Sequence, residues 1–480
     1  MIKAGFYEAD ITPSIGMERP ATYYKLFHSK IHDPLKVRAC VLDDGNMQVA
    51  MVGLDAGVVT HRTAGKARLM VKQSCGIPEK NVLIAASHTH AGGPLWGLSG
   101  EELKDAPALI RRLALDESCC LNADYEQHVI GQITSAVNMA KQRLQTVTLS
   151  VGIGREDKAV FNRRFKLKTG RMATHPGKGN PDIVSPAGPI DPDVGVIAAW
   201  DQKDELLGCI VNYACHGTCY GDGVSADWIY YLEKTVRGVM GSNATVVFLN
   251  GACGDVTQVD NRSLRPMESG EKWARHVGTR VGAEVLKVLV SSEKGEDFKL
   301  AARSETIRLK IRKPSRKSLE DARKLCGRMM GAPEKTTEFH FAKERLVLDW
   351  MLLKSGTKPV EIQAIQIGPA VILANPAEYF CQYGMDIKRQ SPFPCTFVVE
   401  LANGCCGYVP TADSFDPERG GGYETVLTAY SNLEPAAGRA IMDASLRLAK
   451  SLAPGRVPAG ELLEPSSAVW AFGSLGPELD

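Results

Sequence analysis

The sequence lacks the features that define several common protein classes. It has 13 cysteines but no Cys-x-x-Cys pair, which argues against a thiolate zinc finger, and their scatter is not that of a disulfide framework. No charged-then-apolar leader opens the chain, and no run reaches the roughly 20 apolar residues of a membrane span. Lys and Arg number 57 against 55 Asp and Glu, a net charge of +2, so no nucleic-acid footprint is present. We expect a cytoplasmic protein that binds neither nucleic acid nor, stably, a membrane.

Apolar periodicity predicts alternating strands and helices along much of the chain. Strands are predicted near residues 37–42, 49–54 and 245–249, and helices near 63–74, 123–145, 232–242 and 271–289. Such alternation is typical of α/β proteins. The predicted fold is therefore α/β, with a mixed β-sheet core flanked by helices.

Composition also predicts how the chain is divided. One main unit is expected to cover residues 1–450, with about 296–358 as an inserted subdomain because that segment has basic strands and charged helices. Residues 451–480, rich in proline and serine near their start, predict an extended tail. Residues 162–192 are rich in Gly, Pro, Lys and Arg and predict a long surface loop.

Four short apolar runs end in residues that a hydrolytic metal site would use. The runs at 82–86, 209–213, 370–373 and 397–399 are followed by His88 and His90, His216, Glu378, and Tyr408. In open α/β sheets, sites gather beyond the carboxyl ends of strands. The sequence therefore predicts a zinc hydrolase whose imidazoles, carboxylate and phenol meet at one point.

Each of these residues also has a purely structural interpretation. His88 and His90 are expected on one face of a strand, either as two ligands or as a ligand and an acid/base. Glu378 is either a ligand or a first-turn residue of a helix at 379–388 that the helix dipole favours. Tyr408 can equally be interpreted as a packing residue whose hydroxyl reaches solvent.

The other polar residues that could take part in catalysis are interpreted as structural or surface residues. Thr257 is a possible nucleophile, but we prefer a turn stabilised by Asp255. Six further histidines lie on polar or helical segments and are expected at the surface. They are His28, His61, His128, His175, His276 and His340.

Short motifs in a fixed order resemble the catalytic domain of the neutral, non-lysosomal ceramidase family over about residues 3–440. They are GFYEADITP at 5–13, HDPLKVRACVL at 32–42, SHTHAGGP at 87–94, NRR at 162–164, IDPDV at 190–194, NYACHG at 212–217, NGACGDVT at 250–257, PAE at 376–378, NGCCGYV at 403–409 and YE at 423–424.

The resemblance implies one zinc ion per chain and a role for each site residue. It implies that His88, His216, Glu378 and Tyr408 are the metal ligands. His90 is then the general base and later acid. Arg163 and Tyr423 would hydrogen-bond the developing oxyanion or the substrate.

We predict a zinc-dependent hydrolase that uses a metal-activated water to cleave an amide or ester bond in a small polar or N-acyl substrate. Family members carry a secretion signal and an immunoglobulin-like C-terminal domain, neither of which is recognisable here, and we therefore favour a small polar substrate over ceramide. A sugar-acid lactonase or deacylase on the same site is one alternative. A non-catalytic binding protein on the same fold is the other.

Overall fold

The structure is a computed structural model that describes residues 1–266, 268–332, 334–460 and 462–479. Its strands, in chain order, are β1 Lys3–Asp10, β2 Glu18–Arg19, β3 Leu26–Phe27, β4 Lys36–Asp43, β5 Gln48–Leu54, β6 Val82–Ala86, β7 Gln145–Thr146, β8 Thr148–Arg155, β9 Phe161–Asn162, β10 Arg164–Leu167, β11 Met172–Thr174, β12 Ile183–Pro186, β13 Asp193–Trp200, β14 Leu206–Tyr213, β15 Thr245–Asn250, β16 Val256–Thr257, β17 Lys294–Gly295, β18 Leu300–Lys310, β19 Thr357–Ile367, β20 Ala370–Ala374, β21 Ala377–Tyr379, β22 Cys395–Val399 and β23 Gly407–Val409.

The α-helices lie between these strands and cover their faces. They are α1 His61–Cys75, α2 Ala108–Leu115, α3 Ala123–Gln142, α4 Trp228–Met240, α5 Gly270–Ser291, α6 Arg316–Met329, α7 Thr337–Leu352, α8 Cys381–Gln390 and α9 Ala437–Lys450. None of the helices in the described residues is both long enough and apolar enough to cross a bilayer.

Three larger sheets build the core. Their strand orders are β6-β5-β4-β1-β7, β15-β14-β13-β8-β17 and β18-β19-β20-β22. Each is antiparallel except for one parallel pair at one edge, namely β5 with β6, β14 with β15, and β20 with β22. The predicted α/β fold with a mixed β-sheet core is confirmed.

The three sheets share one apolar core, and helices cover their other faces. Side chains such as Met51, Ile210 and Phe397, each from a different sheet, belong to one buried cluster. Helices α1 and α3 pack on the first sheet, α4 and α5 on the second, and α8 and α9 on the third. Because every parallel pair is buried on both sides, its strands read as continuous apolar runs.

The segment 162–192 is not the long surface loop that its composition predicts. It contains β10, β11 and β12, which form a three-stranded antiparallel sheet, and β9 pairs with β16. Arg164 is 2% exposed, and its guanidinium donates to Ser414 and to the carbonyl of Gly421. These long-range bonds order strands whose Gly- and Pro-rich surroundings gave no periodic signal.

The segment 296–358 has two parts with different surroundings. Its strand β18 pairs along its whole length with β19, so it belongs to the third sheet. Helices α6 and α7 instead pack with α2 around a separate apolar cluster that includes Ile110, Cys326 and Phe339. The division into a unit of residues 1–450 and a tail of 451–480 stays a prediction; the described residues 453–460 and 462–479 contain no helix or strand.

One of the histidines expected at the surface is buried. His28 is 2% exposed, and its Nε2 donates to the carbonyl oxygen of Gly92 at 2.8 Å. Its contact is with a residue 64 positions away, which no local pattern around His28 indicates.

Candidate metal and catalytic site

The first histidine pair lies just beyond the end of β6, where the chain turns. His88 has φ of +64°, in the left-handed region, so the strand does not continue through it. The expectation that His88 and His90 project from one face of a strand is wrong, because this turn redirects the backbone. Their ring centroids nevertheless lie 4.8 Å apart. A left-handed non-glycine residue is costly and is often found at functional sites.

Two imidazoles are anchored in the same way. His88 Nδ1 lies 2.7 Å from the carbonyl oxygen of Gly57, and His216 Nδ1 lies 3.0 Å from that of Val256. A carbonyl oxygen only accepts, so each Nδ1 carries a proton, and in the neutral ring each Nε2 presents a lone pair. This arrangement is typical of histidines that bind a metal through Nε2.

The carboxylate of Glu378 lies close to both Nε2 atoms. Its Oε2 lies 3.1 Å from His88 Nε2 and 3.3 Å from His216 Nε2, and all three side chains are fully buried. Glu378 lies in β21, directly beside Tyr408 in the parallel strand β23. The alternative that Glu378 is a first-turn helix residue is wrong, because α8 begins only at Cys381.

A third imidazole completes a cluster of possible ligands. His90 Nε2 lies 3.4 Å from His88 Nε2, and the ligand atoms of His88, His90 and His216 all lie within 4.8 Å of one another. Nitrogen and carboxylate donors at such spacing suit zinc. The residues present therefore fit a metal ion.

Arg163 contacts the same Nε2 of His216, within a dense polar network. Its Nη1 lies 3.1 Å from His216 Nε2, its Nη2 lies 3.2 Å from the hydroxyl of Tyr408, and its Nε lies 3.1 Å from Glu424 Oε1. The hydroxyls of Tyr408 and Tyr423 are 3.0 Å apart. The guanidinium is thus fixed by charge and hydrogen bonds on every edge.

Burial and neighbouring charges set the protonation states. Burial lowers the pKa of His216 to about 3, and the Arg163 charge acts in the same direction. Burial, and then the His88 and His216 rings, hold the pKa of His90 well below its usual range. Burial alone would raise the pKa of Glu378, but the two facing imidazoles hold it well below its usual range. Neutral imidazoles beside an ionised carboxylate are the states that bind a divalent cation.

His88 behaves differently from the other two histidines. Burial would lower its pKa, but the charge of Glu378 outweighs this and raises it. A cation that binds here must displace the proton that the neighbouring Glu378 carboxylate favours on the His88 ring. Metal affinity at this site should therefore rise with pH.

The structure brings together all seven residues predicted for the site, although their separate roles remain predictions. The seven are His88, His90, Arg163, His216, Glu378, Tyr408 and Tyr423. Thr257 does not join them: its hydroxyl donates to Gln258 Oε1 at 2.8 Å. Asp255 accepts the backbone N–H of Cys381 and the side chain of Asn162, which is the structural role expected of it.

Three residues of the site are not among the seven that the sequence predicts for it. Tyr430 donates to Glu378 Oε1 at 2.6 Å, and its ring stacks on Trp96 with centroids 4.8 Å apart. Glu424, fully buried, pairs with Arg163. Trp96 lies just after the SHTHAGGP motif and Glu424 belongs to the YE motif at 423–424, but Tyr430 stands in a segment without a motif.

Known proteins share both sequence and fold with this chain. No family model matches it. The neutral ceramidase of Pseudomonas aeruginosa is 29% identical over 220 residues, which cover 45% of this chain and 30% of that protein. The predicted resemblance to the neutral ceramidases is confirmed. The chain thus spans less than a third of the curated relative's length in that alignment.

Solved ceramidase structures have the same fold. One, described as a ceramidase complexed with C2, superposes with a TM-score of 0.67 at 19% identity and covers 98% of this chain and 79% of that one. The crystal structure of the neutral ceramidase from Pseudomonas aeruginosa gives a TM-score of 0.66 at 20% identity, with coverage of 97% and 76%.

Proposed function

We propose that this protein is a zinc-dependent hydrolase that cleaves the amide or ester bond of a small polar or N-acyl substrate. The observation that carries the proposal is the convergence of three possible ligand atoms. Glu378 Oε2 lies 3.1 Å from His88 Nε2 and 3.3 Å from His216 Nε2. Both imidazoles are anchored through Nδ1, as metal-binding histidines commonly are. The sequence similarity to a neutral ceramidase supports an amide hydrolase.

The zinc ion would be held by His88, His216 and Glu378, with Tyr408 beside them as the fourth predicted ligand. When bound, zinc lowers the pKa of water to about 7 and polarises the scissile carbonyl. His90 Nε2 then takes a proton from the attacking water and returns it to the leaving group. Its lowered pKa keeps the ring neutral at neutral pH, so that Nε2 can accept a proton.

Arg163 and the hydroxyl of Tyr423 would stabilise negative charge that develops on the carbonyl oxygen. Because the guanidinium is buried and held by Glu424, it needs no reorganisation during the reaction.

The rim of the site favours a substrate with an apolar part. His90, Trp96, Tyr423 and Tyr430 are each partly exposed around the buried ligands. Aromatic faces bind acyl chains or other apolar groups more readily than polyols. We therefore place N-acyl amides first among the substrates. The cytoplasmic location stays a prediction, supported by cysteines that are all unpaired.

The test combines metal content with hydrolysis. Purified wild-type protein is expected to hold about one zinc ion per chain and to hydrolyse at least one member of a panel of N-acyl amides, esters and lactones of different chain lengths. His88→Ala and His216→Ala should lose zinc and activity, whereas His276→Ala, on α5, should keep both. A metal-free protein with full activity would refute the proposal, and a zinc-loaded protein inactive on the whole panel would favour the binding-protein alternative.

A further inference from the structure

The two oxygens of the Glu378 carboxylate have different partners. Oε2 faces the imidazoles of His88 and His216, whereas Oε1 accepts a hydrogen bond from the hydroxyl of Tyr430 at 2.6 Å. Among the described residues, no other side chain is hydrogen-bonded to Oε1. A hydrogen bond to an ionised carboxylate is among the strong ones.

Tyr430 is itself held by its surroundings. Its ring stacks on Trp96 at an interplanar angle of 26°, and the thiol of Cys405 donates to its hydroxyl at 3.3 Å. Its backbone carbonyl lies where a Cβ on Gly407 would come within 2.0 Å. Tyr430 is therefore packed against β23, the strand that carries Tyr408.

We propose that Tyr430 is a positioning residue, which holds Oε1 so that Glu378 offers only Oε2 to the point where the two Nε2 atoms converge. The inference rests on the proposed function, since it assigns Tyr430 a role toward the metal. It also explains why a tyrosine is useful here. A rigid phenol on a stacked ring fixes a carboxylate with little loss of conformational freedom.

The test measures zinc binding rather than activity. Zinc affinity is determined for metal-free protein by competition with a chromophoric chelator, in the wild type and in Tyr430→Phe, which keeps the ring and removes the hydroxyl. Loss of a hydrogen bond to a ligand typically weakens metal binding about 10- to 100-fold. We expect a loss in that range, together with a changed absorption spectrum of the Co²⁺-loaded protein, because the carboxylate is then free to rotate.

Tyr379→Phe is the matched control. Tyr379 neighbours Glu378 on β21, is buried, and donates to the carbonyl of Gly438, also at 2.6 Å. This control loses an equally short buried bond without touching the carboxylate. Its zinc affinity should stay within about threefold of the wild type and its Co²⁺ spectrum should be unchanged.

The outcomes separate the inference from the proposed function. A wild type that binds no metal contradicts the proposed function and the inference with it. A wild type that binds zinc, with Tyr430→Phe equal to Tyr379→Phe, overturns the inference alone. If Tyr430→Phe does not fold, Trp96→Phe is measured instead. It loosens the stack, and a several-fold loss of zinc affinity supports the inference while an unchanged affinity overturns it.

Discussion

His90 should serve the reaction without holding the metal, and His90→Ala separates these roles. The Nδ1 atoms of His88 and His216 donate to backbone carbonyls, which fixes both rings. In the described residues, by contrast, no protein group is hydrogen-bonded to His90 Nδ1. His90 is also the one partly exposed member of the three. An imidazole that no backbone carbonyl anchors, at a partly exposed position, is placed to accept a proton from the attacking water and pass it on.

The expected magnitude follows from that role. General acid–base help is worth about a hundred- to ten-thousandfold in rate, or about 3–5 kcal/mol of activation free energy. His90→Ala should therefore lose kcat by that factor and still hold about one zinc ion. His88→Ala should lose zinc as well as activity.

The pH profile gives an independent check on His90. The neutral ring is the active base, so activity falls as pH falls through the pKa of His90. Because burial and the neighbouring imidazoles lower that pKa, the acidic limb of kcat/KM should lie below about pH 6.5, the ordinary value for histidine. His90→Ala should lose this limb.

Zinc content, kcat and the pH profile are measured on the same preparations, with His276→Ala as the control. This division of roles would be refuted if His90→Ala shed zinc as readily as His88→Ala. All three imidazoles would then be ligands, as their spacing within 4.8 Å allows, and another group would have to move the proton.

Three further predictions concern residues around the site and in the core. Glu424→Gln leaves the buried guanidinium of Arg163 without its carboxylate and should cost about 3–5 kcal/mol in urea unfolding; a loss below about 1 kcal/mol would contradict this. Gly407→Ala places a Cβ 2.0 Å from the Tyr430 carbonyl at φ of +83° and should lower the melting temperature. Gly131→Ala, on α3 with open space around it, should leave it unchanged or raise it. Burial raises the pKa of the Asp33 carboxyl to about 7 in the folded protein. In the unfolded chain this carboxyl loses its proton near pH 4, so between about pH 4 and 7 the folded state keeps the proton that the unfolded chain has released. Stability should decline over that window through this group, and Asp33→Asn should flatten the decline.

The core of the fold could be predicted because its strands are buried on both faces. Apolar runs at 49–54, 82–86 and 245–249 became β5, β6 and β15 with boundaries that differ by at most one residue. Each run is too short for a helix and is closed by polar or turn residues. Their ends then indicated where His88 and Asn250 would lie.

The strands β10, β11 and β12 could not be predicted, for a different physical reason. They are held by side-chain bonds from distant residues, such as those of Arg164 to Ser414 and Gly421. Local composition therefore favoured a loop. The same applies to Tyr430, since its role depends on a contact with Glu378, 52 residues away.

The turn at His88 could not be predicted from the sequence either. Its left-handed conformation is disfavoured by local sterics, so no pattern around SHTH predicts it. Tertiary contacts stabilise it instead: the ring is tied to Gly57, and Thr89 forms a β-bridge with Gly217 beside His216.

Two buried polar side chains link the loops that carry the site. The Nδ2 of Asn250, at the end of β15, donates to the carbonyls of Ser87 at 3.0 Å and Cys215 at 3.2 Å, the residues just before the two anchored histidines. Glu400, just after β22, accepts the backbone N–H groups of Cys253 and Tyr379. Leaving such a buried partner unpaired costs about 1–3 kcal/mol or more. Displacing any one of these loops therefore breaks bonds to the others, which explains how residues 290 positions apart can meet in one rigid site.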